Sequence, residues 1–520
     1  MPDHLKALVV ILVLAAAVFV FAKAPACAVA INTSDFARRR NLWFGVTFAA
    51  FLAHNFWIYI LAAGVLLYLA QRRESNKLAF YFFLLFTVPP IQTELKLGVP
   101  LFDMHYYRLL SLVVLLPAFL ALQKQPDTEP FGRSLADKLL VGYVALQFVL
   151  LLQVSTWTNS FRQGVVVALI DVVLPYYVAS RYVKSLEGFR DALMAFVVAA
   201  LVLSLIGVFE YAKTWLLYSE LDNALGIRWV YGTYDRRGGD LRAVAAVGQP
   251  IPLGYTIAVA MGFFVYLRTS VPNPIAWRLG ICLLLAGIIS PLSRGPWVGA
   301  AVMLLVFLAI GPSPAQRLTK LGLLGVILLP PLLLSPLGDK IIDRLPFVGT
   351  IESQNVTYRK QLLETSIALI QRNPFFGSYD FINTPEMEAL RQGQGIIDLV
   401  NTYAVVGLNS GLVGLSLFMG FFAAILFAIL KSMRGLPDKN SEMFLLGQSL
   451  FATLIGILAM IATVSPISDI AIIYWSVAGL GVGYARMVAR AGSPEAAERH
   501  ASQPSGAKIV SSLKSPANRA

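Results

Sequence analysis

Along this chain, apolar residues gather into blocks of roughly 15 to 24, separated by short stretches that carry most of the Lys and Arg. About 20 apolar residues cross a bilayer as a helix, so each block reads as a membrane span. From residue 71 onward the pattern predicts twelve spans, near 78–91, 106–122, 138–154, 165–180, 191–212, 251–267, 278–292, 296–311, 321–336, 408–430, 443–464 and 471–487. Residues 5–22 form one apolar block after Lys6. It reads either as a retained first span or as a signal peptide with small residues around Ala22-Lys23-Ala24. Residues 41–70 are apolar apart from His54-Asn55 and fit one long span or a re-entrant pair; a single span would leave Arg38, Arg39 and Arg40 on the wrong side of the membrane. The expected fold class is an all-α polytopic integral membrane protein of about 12–14 transmembrane helices, with short amphipathic helices in a large loop.

Charge sets the orientation. Loops 71–77, 123–138, 181–190, 268–278, 312–320 and 431–442 together hold 16 Lys and Arg. The alternating short loops hold only Lys96, Arg162 and Arg294, or 8 cations once segment 213–250 is included. The cation-rich side is therefore expected to be cytoplasmic. The chain divides into N-terminal membrane segments (1–70), a transmembrane bundle (71–336) with an extracytoplasmic loop at 213–250, a large loop (337–404), C-terminal transmembrane helices (405–487) and a polar tail (488–520) expected to be disordered and cytoplasmic.

Composition narrows the function. Of 520 residues, 57% are hydrophobic and 14% charged, which excludes an ordinary soluble enzyme and a disordered chain. The net charge of +13 lies mainly in loops between apolar blocks, so it follows topology and implies no nucleic-acid partner. Cys27 and Cys282 do not suggest a disulfide, and His4, His54, His105 and His500 are too scattered for a zinc site. There is no P-loop and no Asp-x-Asp pair, so neither a metal site nor a cofactor is expected. No internal repeat is visible, which disfavours transporters built from repeats.

The two long segments facing away from the cytoplasmic side are where function is expected. The first contains Tyr231-Gly-Thr-Tyr-Asp-Arg236-Arg237-Gly-Gly-Asp-Leu-Arg242, then Gly248-Gln249-Pro250-Ile-Pro252-Leu-Gly254. Arginine forks match phosphate oxygens bidentately and stay charged. Arg236 and Arg237 read equally as solvated cations facing lipid headgroups, whereas Arg242 opens the next span at the membrane surface. A second feature is the turn Ser290-Pro-Leu-Ser293-Arg294-Gly295-Pro296-Trp297. Proline and glycine suffice for that turn, so Arg294 either binds something or snorkels to headgroups.

The third feature is a helix expected over Asn355–Asn373, stopped before Pro374. Leu362, Leu363, Ser366, Ile367, Leu369 and Ile370 would form one face, with Arg359 in the middle of the apolar arc. An arginine so placed points into the protein or toward the membrane and needs a matching negative charge, from a lipid-linked diphosphate or from an internal ion pair. The fourth feature, Gly395-Ile-Ile-Asp398-Leu-Val-Asn401-Thr-Tyr403, lies where the loop re-enters the membrane. Asp398 and Asn401 would be neighbours at i, i+3, with Tyr403 on approximately the same face. Asp398 could accept a proton from a sugar hydroxyl, or cap the following span. Asp171 and Glu210 fall in or near apolar spans and mark a transport route or pair with a neighbouring helix.

These segments, in this order, resemble the bacterial O-antigen ligase and O-antigen polymerase superfamily over roughly residues 70–490. The matching pieces are Arg242 followed by Gly248-Gln-Pro, the turn Leu292-Ser293-Arg294-Gly295, Arg359 through Asn373-Pro374-Phe-Phe-Gly377, and Asn401 followed by Gly407 and Gly411-Leu-Val-Gly414-Leu. The resemblance implies an inner-membrane glycosyltransferase with its site on the periplasmic face, moving a glycan from undecaprenyl diphosphate to an acceptor hydroxyl. Arg242, Arg294 and Arg359 would hold the diphosphate without a metal, with Arg236, Arg237, Asn401 and Tyr403 as further binding residues. Ligases of the family commonly carry His-Asn at the re-entry point; this chain has Val400-Asn401, which leaves Asp398 as the candidate base and favours polymerisation of exopolysaccharide or O-antigen repeats. A flippase and a chain-length regulator are the partners the resemblance implies, beside the glycan donor, the acceptor and the lipid bilayer.

Overall fold

The computed structural model describes residues 2–227, 234–333, 353–391, 395 and 397–491. Its principal elements are α1 (Asp3–Val29), α2 (Thr33–Leu52), α3 (Phe56–Gln71), α4 (Lys77–Leu84), α5 (Tyr106–Gln123), α6 (Leu135–Val154), α7 (Trp157–Arg181) and α8 (Leu186–Lys213), followed by α9 (Pro250–Leu267), α10 (Pro274–Ile289), α11 (Arg294–Ile310), α12 (Pro314–Leu333), α13 (Ser353–Arg372), α14 (Thr402–Arg434), α15 (Glu442–Ile461) and α16 (Ser468–Ala491). Helices begin where the sequence offers a cap. The side chains of Asn32, Asn55, Ser134, Ser185, Asn273, Asn401 and Ser441 each accept a first-turn N–H.

Among the described residues, nine helices are long and apolar enough to cross a membrane, and the shorter α3, α10 and α11 are also apolar. Side chains such as Val13, Val20, Leu61, Val149, Val326 and Phe427 are exposed on the outer surface. A helical bundle that satisfies its backbone internally and exposes apolar side chains is suited to lipid. The chain is a multi-pass membrane protein. At its centre is α8, almost wholly buried and packed against α1, α4, α9 and α10. Around it α11 packs on α15, α16 on α7, and α14 on α6.

The N-terminal ambiguity resolves into separate helices. α1 is an integral member of the bundle, packed on α8 and α2. The 41–70 stretch is two helices, α2 and α3, which pack against each other. His54 adopts a left-handed φ of 49°, and Asn55 caps α3. Arg38–Arg40 consequently lie at the end of the bundle that carries the cation-rich loops. Arg39 bonds Glu74 and Asp191 there, each at 2.6 Å. At the opposite end the rings of His4 and His54 meet 6.0 Å apart, and the Phe56 N–H reaches the Leu225 carbonyl.

Several expected boundaries shift. The span near 78–91 is helical only to Leu84; past Pro89-Pro90 the chain forms an antiparallel hairpin of β1 (Thr93–Leu97) and β2 (Val99–Met104). Prolines cannot supply the N–H groups that a continuing helix needs. The span near 165–180 begins at Trp157, and α16 continues to Ala491, so residues 488–491 are helix and not tail. Residues 492–520, the start of the 337–404 loop through residue 352, and the Tyr231 end of the arginine motif lie outside the described residues. Asp171 pairs with Arg108 at 2.7 Å, a helix-to-helix ion pair. It sits in a π-helical stretch, Leu169–Val173, just before Pro175; a similar stretch, Ser111–Leu115, precedes Pro117 in α5. The wider turn makes room for a proline ring that would otherwise strike the preceding carbonyl.

The Arg39 site yields a stability prediction. Its side chain and that of Glu74 are wholly buried, and Asp191 is nearly so. Arg39→Met would take this cation from buried Asp191 and leave Glu74 with Arg38, 3.1 Å away, and should lower stability by about 3–5 kcal/mol. Adding Glu74→Gln and Asp191→Asn should recover much of that loss. Thermal unfolding of the three proteins in detergent would check this; Arg39→Met as stable as the parent refutes it.

Candidate functional site

One part of the site is built around the turn between α10 and α11. Pro291, Leu292 and Ser293 connect the two helices, with Leu292 at a left-handed φ of 50°. The loop entering α9 is strapped across this turn. The Ala243 N–H donates to the Ser290 carbonyl at 3.1 Å. Arg242 donates from Nε to the Pro291 carbonyl (3.1 Å), from one terminal nitrogen to Ser293 Oγ (3.0 Å), and from the other to Asp235 (2.6 Å). Arg237 donates to the Leu292 carbonyl. Arg236 is exposed and bonds the Gly239 carbonyl within a minimal hairpin of β3 (Arg236–Arg237) and β4 (Asp240–Leu241).

Glu210 anchors this loop from beneath. It is fully buried at the end of α8, and its carboxylate accepts the N–H groups of Leu217, Val244 and Ala245 at 2.8–3.0 Å. Of the two roles open to it in the sequence, Glu210 takes neither: it holds backbone, not a cation. Charge-assisted acceptance of several N–H groups is a strong way to fix a loop. The signal in the sequence was a lone carboxylate one turn before a helix end, which does not by itself name its partners.

The second part depends on a break in α14. Gly411 has φ 60° and ψ −161°, outside helical geometry. The segment after α13 fills the gap: Leu412 and Val413 donate their N–H groups to the carbonyls of Pro374 (2.7 Å) and Phe375 (3.1 Å), and the Ser378 N–H donates to the Leu408 carbonyl (2.7 Å). Only glycine fits at the contact. A Cβ on Gly411 would lie 2.4 Å from the Phe375 backbone, and one on Gly377 would lie 2.3 Å from the Leu408 carbonyl oxygen. α13 is thereby clamped to α14, over a small core of Leu362, Leu369, Phe381, Met387, Val400 and Leu408.

This clamp brings Arg359 within electrostatic reach of Asp398. The Tyr358 hydroxyl accepts the Asp398 N–H at 3.1 Å, and Arg359 lies close enough to act electrostatically on the Asp398 carboxylate. The Ser465 hydroxyl donates to Asp398 Oδ1 at 3.2 Å. Burial pushes the Asp398 carboxyl above the usual carboxylate range, an effect that Ser465 and Arg359 partly offset. The same 463–465 segment touches the first half of the site, since Gly295, next to Arg294, packs directly on Thr463. Arg237, Arg242, the 290–293 turn, Arg294, Ser465, Asp398 and Arg359 thus form one connected neighbourhood at one end of the bundle. Ser465, Thr463 and Tyr358 belong to it although nothing in their local sequence marks them out.

Other expectations are corrected. Asp398 and Asn401 do not share a helix face, because the helix begins only at Thr402. Asn401, not Asp398, caps it, accepting the Ala404 N–H at 3.1 Å. Tyr403 points into the bundle and donates to the Leu458 carbonyl at 2.7 Å. On α13 the buried stripe runs through Leu362, Ser366 and Leu369, while Leu363 and Ile367 are exposed. Arg359 is exposed at the edge of that stripe, not in its middle.

The neighbourhood gathers positive charge and donors. Arg294 is the first residue of α11, whose N-terminus has no side-chain cap, because Ser293 Oγ is engaged with Arg242 and the Pro291 carbonyl. A helix N-terminus presents N–H groups and the positive end of the helix dipole. Together with Arg242 this arrangement suits a phosphate-bearing ligand, and Asp398 places a carboxylate in the same neighbourhood.

Residues 279–419 match the family model described as O-antigen ligase. That segment includes Arg294, Arg359, Gly377, Asp398, Asn401, Tyr403 and Gly411, but not Arg236, Arg237 or Arg242. The resemblance to the O-antigen ligase and polymerase superfamily thus has an independent footing, and the match supports a membrane enzyme of that type. No curated protein matches the chain.

The break in α14 can be tested directly. Gly411→Ala should cost roughly 1–3 kcal/mol from its backbone conformation alone, with the clash against Phe375 added. Gly377→Ala should behave alike, whereas Gly420→Ala, where a Cβ would meet only Leu139 at ordinary contact distance, should be near neutral. Detergent melting temperatures of the three variants give the ranking, and equal values would refute the clamp.

Proposed function

We propose that this protein is a glycosyltransferase that polymerises undecaprenyl-diphosphate-linked oligosaccharide repeats of an exopolysaccharide or O-antigen, on the periplasmic face of the bacterial inner membrane. What supports the reading is the placement of Arg242, Arg294, Arg359 and Asp398 at one end of a membrane bundle, the end opposite the cation-rich loops. The positive-inside bias makes that end periplasmic.

In this mechanism the donor diphosphate lies at the N-terminus of α11. Arg294 and Arg242 meet its oxygens, and Arg359 approaches from α13. An acceptor hydroxyl attacks the anomeric carbon of the donor sugar as the bond to the diphosphate oxygen breaks. Asp398 takes the hydroxyl proton, and undecaprenyl diphosphate leaves with its negative charge stabilised by the arginines. Preorganised donors aimed at developing charge give the largest catalytic contribution available to such a site. The raised Asp398 carboxyl suits a base, because basicity grows with pKa as long as the group remains ionised at working pH. Arg237, Glu210 and Ser465 position these groups; Asn401 and Tyr403 hold the end of α14.

The acceptor is inferred from Val400. The ligases that the sequence resembles carry histidine there, whereas Val400 is 7% exposed and packs in the small core under α13. Asp398, two residues earlier, is then the base, and the chain is read as a polymerase rather than a ligase to lipid A core or protein.

Reconstitution with undecaprenyl-diphosphate-linked repeat units tests the proposal. A ladder of multiples with release of undecaprenyl diphosphate is expected; diphosphate release only after lipid A core or protein is added would mean a ligase, and donor crossing the bilayer unchanged would mean a transporter. Arg294→Ala and Arg242→Ala should each slow turnover by about 10²–10³-fold. Asp398→Asn should slow it by about 10²–10⁴-fold. Since Asp398 accepts a proton only when ionised, activity should fall as pH drops through its raised pKa, above the range of an ordinary carboxylate, and that acid limb should vanish in residual Asp398→Asn activity. An unchanged limb would remove Asp398 from the role of base.

A further inference from the structure

The segment 374–379 follows α13 in the large loop, yet its bonds place it below the ends of two membrane spans. α6 and α14 are antiparallel neighbours in a fixed register. A Cβ on Gly414 would meet Leu146 at 3.5 Å, and one on Gly420 would meet Leu139 at 3.7 Å. α6 is a 20-residue candidate span that ends at Val154. Gln147 precedes that end by seven positions, about 10 Å along a helix. The Tyr379 hydroxyl donates to the Gln147 side chain. At the same level Leu412, ten positions into α14, and Val413 donate to the Pro374 and Phe375 carbonyls.

At this depth Phe375 and Phe376 are 66% and 54% exposed. On α14 the exposed positions recur as Leu412, Ser416, Met419, Ala423 and Phe427, the spacing of a single helix face. The phenylalanines stand at the head of that stripe. α13 continues the pattern. At 100° per residue, buried Leu362, Ser366 and Leu369 face the small core, and exposed Leu363 and Ile367 lie on one flank. Gln361 and Ala368 lie on the other flank, with Lys360, Glu364 and Gln371 between. A helix with core beneath it, bare apolar residues on one side and polar ones on the other fits the boundary of protein, lipid and water. Non-helical backbone is tolerated at membrane depth where the protein satisfies its polar groups. Here the Pro374 and Phe375 carbonyls and the Gly377 and Ser378 N–H groups all have backbone partners.

We propose that segment 374–379 is a re-entrant wedge and α13 an interfacial helix, with Leu363, Ile367, Phe375 and Phe376 covered by the acyl chains of the leaflet on the side of the candidate site. Lipid is the occupant because the patch is continuous with the exposed face of a membrane span and lies below the end of α6. Part of the large loop therefore belongs to the membrane, whichever reaction the site performs. The full-length protein, carrying Cys27→Ala and Cys282→Ala, would receive one bimane-labelled cysteine through Ile367→Cys, Phe376→Cys, Gln361→Cys or Phe427→Cys. Each protein would be placed in phosphatidylcholine nanodiscs with plain or brominated acyl chains, with aqueous iodide as a second quencher.

Bimane on Ile367→Cys and Phe376→Cys should emit to the blue of Gln361→Cys and lose fluorescence to brominated lipid as strongly as Phe427→Cys does. Gln361→Cys should respond to iodide instead. Quenching of the Ile367→Cys and Phe376→Cys labels by iodide and not by bromine would put the patch in water and overturn the proposal. Blue emission that neither quencher reaches would mean a cover of protein, such as a second copy of the chain, and would overturn it too. Should Phe376→Cys fail to fold, Phe375→Cys reads the same depth from another exposed side chain. The readout is position and not turnover, so failure of the glycosyl-transfer reading would leave these results unchanged.

Discussion

A helix that crosses a membrane can be interrupted only if something satisfies the backbone groups it frees. In α14 that something is the segment Pro374–Ser378, which gives its carbonyls to Leu412 and Val413 and takes the Leu408 carbonyl for itself. The rest of the candidate site depends on this exchange. It joins a helix lying outside the bundle to one inside it, at a fixed register, through backbone rather than side chains. Glycine at 377 and 411 lets the two chains approach, and proline at 374 ends α13 where the exchange begins. Arg359 and Tyr358 sit on α13; Asp398 and Asn401 sit on the strand of chain leading into α14. Without the clamp these two groups would have no common frame.

The turn before α11 is held by a comparable economy of means. Arg237 and Arg242 donate to the carbonyls of Leu292 and Pro291, and Glu210 gathers three N–H groups of the loop that carries them. A carbonyl contact fixes a guanidinium in place without cancelling its charge. The same arginine can therefore be an architectural pin and part of a positive surface. This differs from the other end of the bundle, where Arg39 is buried between two carboxylates and serves structure alone.

Much of this was legible in the sequence because lipid imposes so strict a pattern. Spans, their alternation of loop charge and the four motif segments all follow from block hydropathy and from isolated cations where none is needed for folding. Boundaries were less legible where π-helical turns and prolines intervene, as at Pro117 and Pro175, or where a two-residue interruption such as His54-Asn55 serves equally as a turn or a blemish. Asp398 and Asn401 were misplaced onto a helix because i, i+3 spacing says nothing about where a helix starts; the cap does, and Asn401 supplies it. Arg359 was placed within the buried arc because Leu363 and Ile367 look like core on a helical wheel, although they face outward. Partners far away in sequence, such as Ser465 for Asp398, leave no local trace.

Charge balance separates the two ends of the molecule physically. At the cation-rich end, buried arginines are matched by carboxylates, and Asp137 serves both Arg181 and Arg486. At the opposite end Arg237 and Arg242 bond the carbonyls of Leu292 and Pro291, the Ser293 hydroxyl and the carboxylate of Asp235. An uncapped helix N-terminus adds further donors there. Carbonyls orient cations without neutralising them, and the chain keeps a partly buried carboxylate, Asp398, in the same neighbourhood. A set of cations and donors beside such a carboxylate suits the ligand proposed above, a glycosyl diphosphate meeting an acceptor sugar.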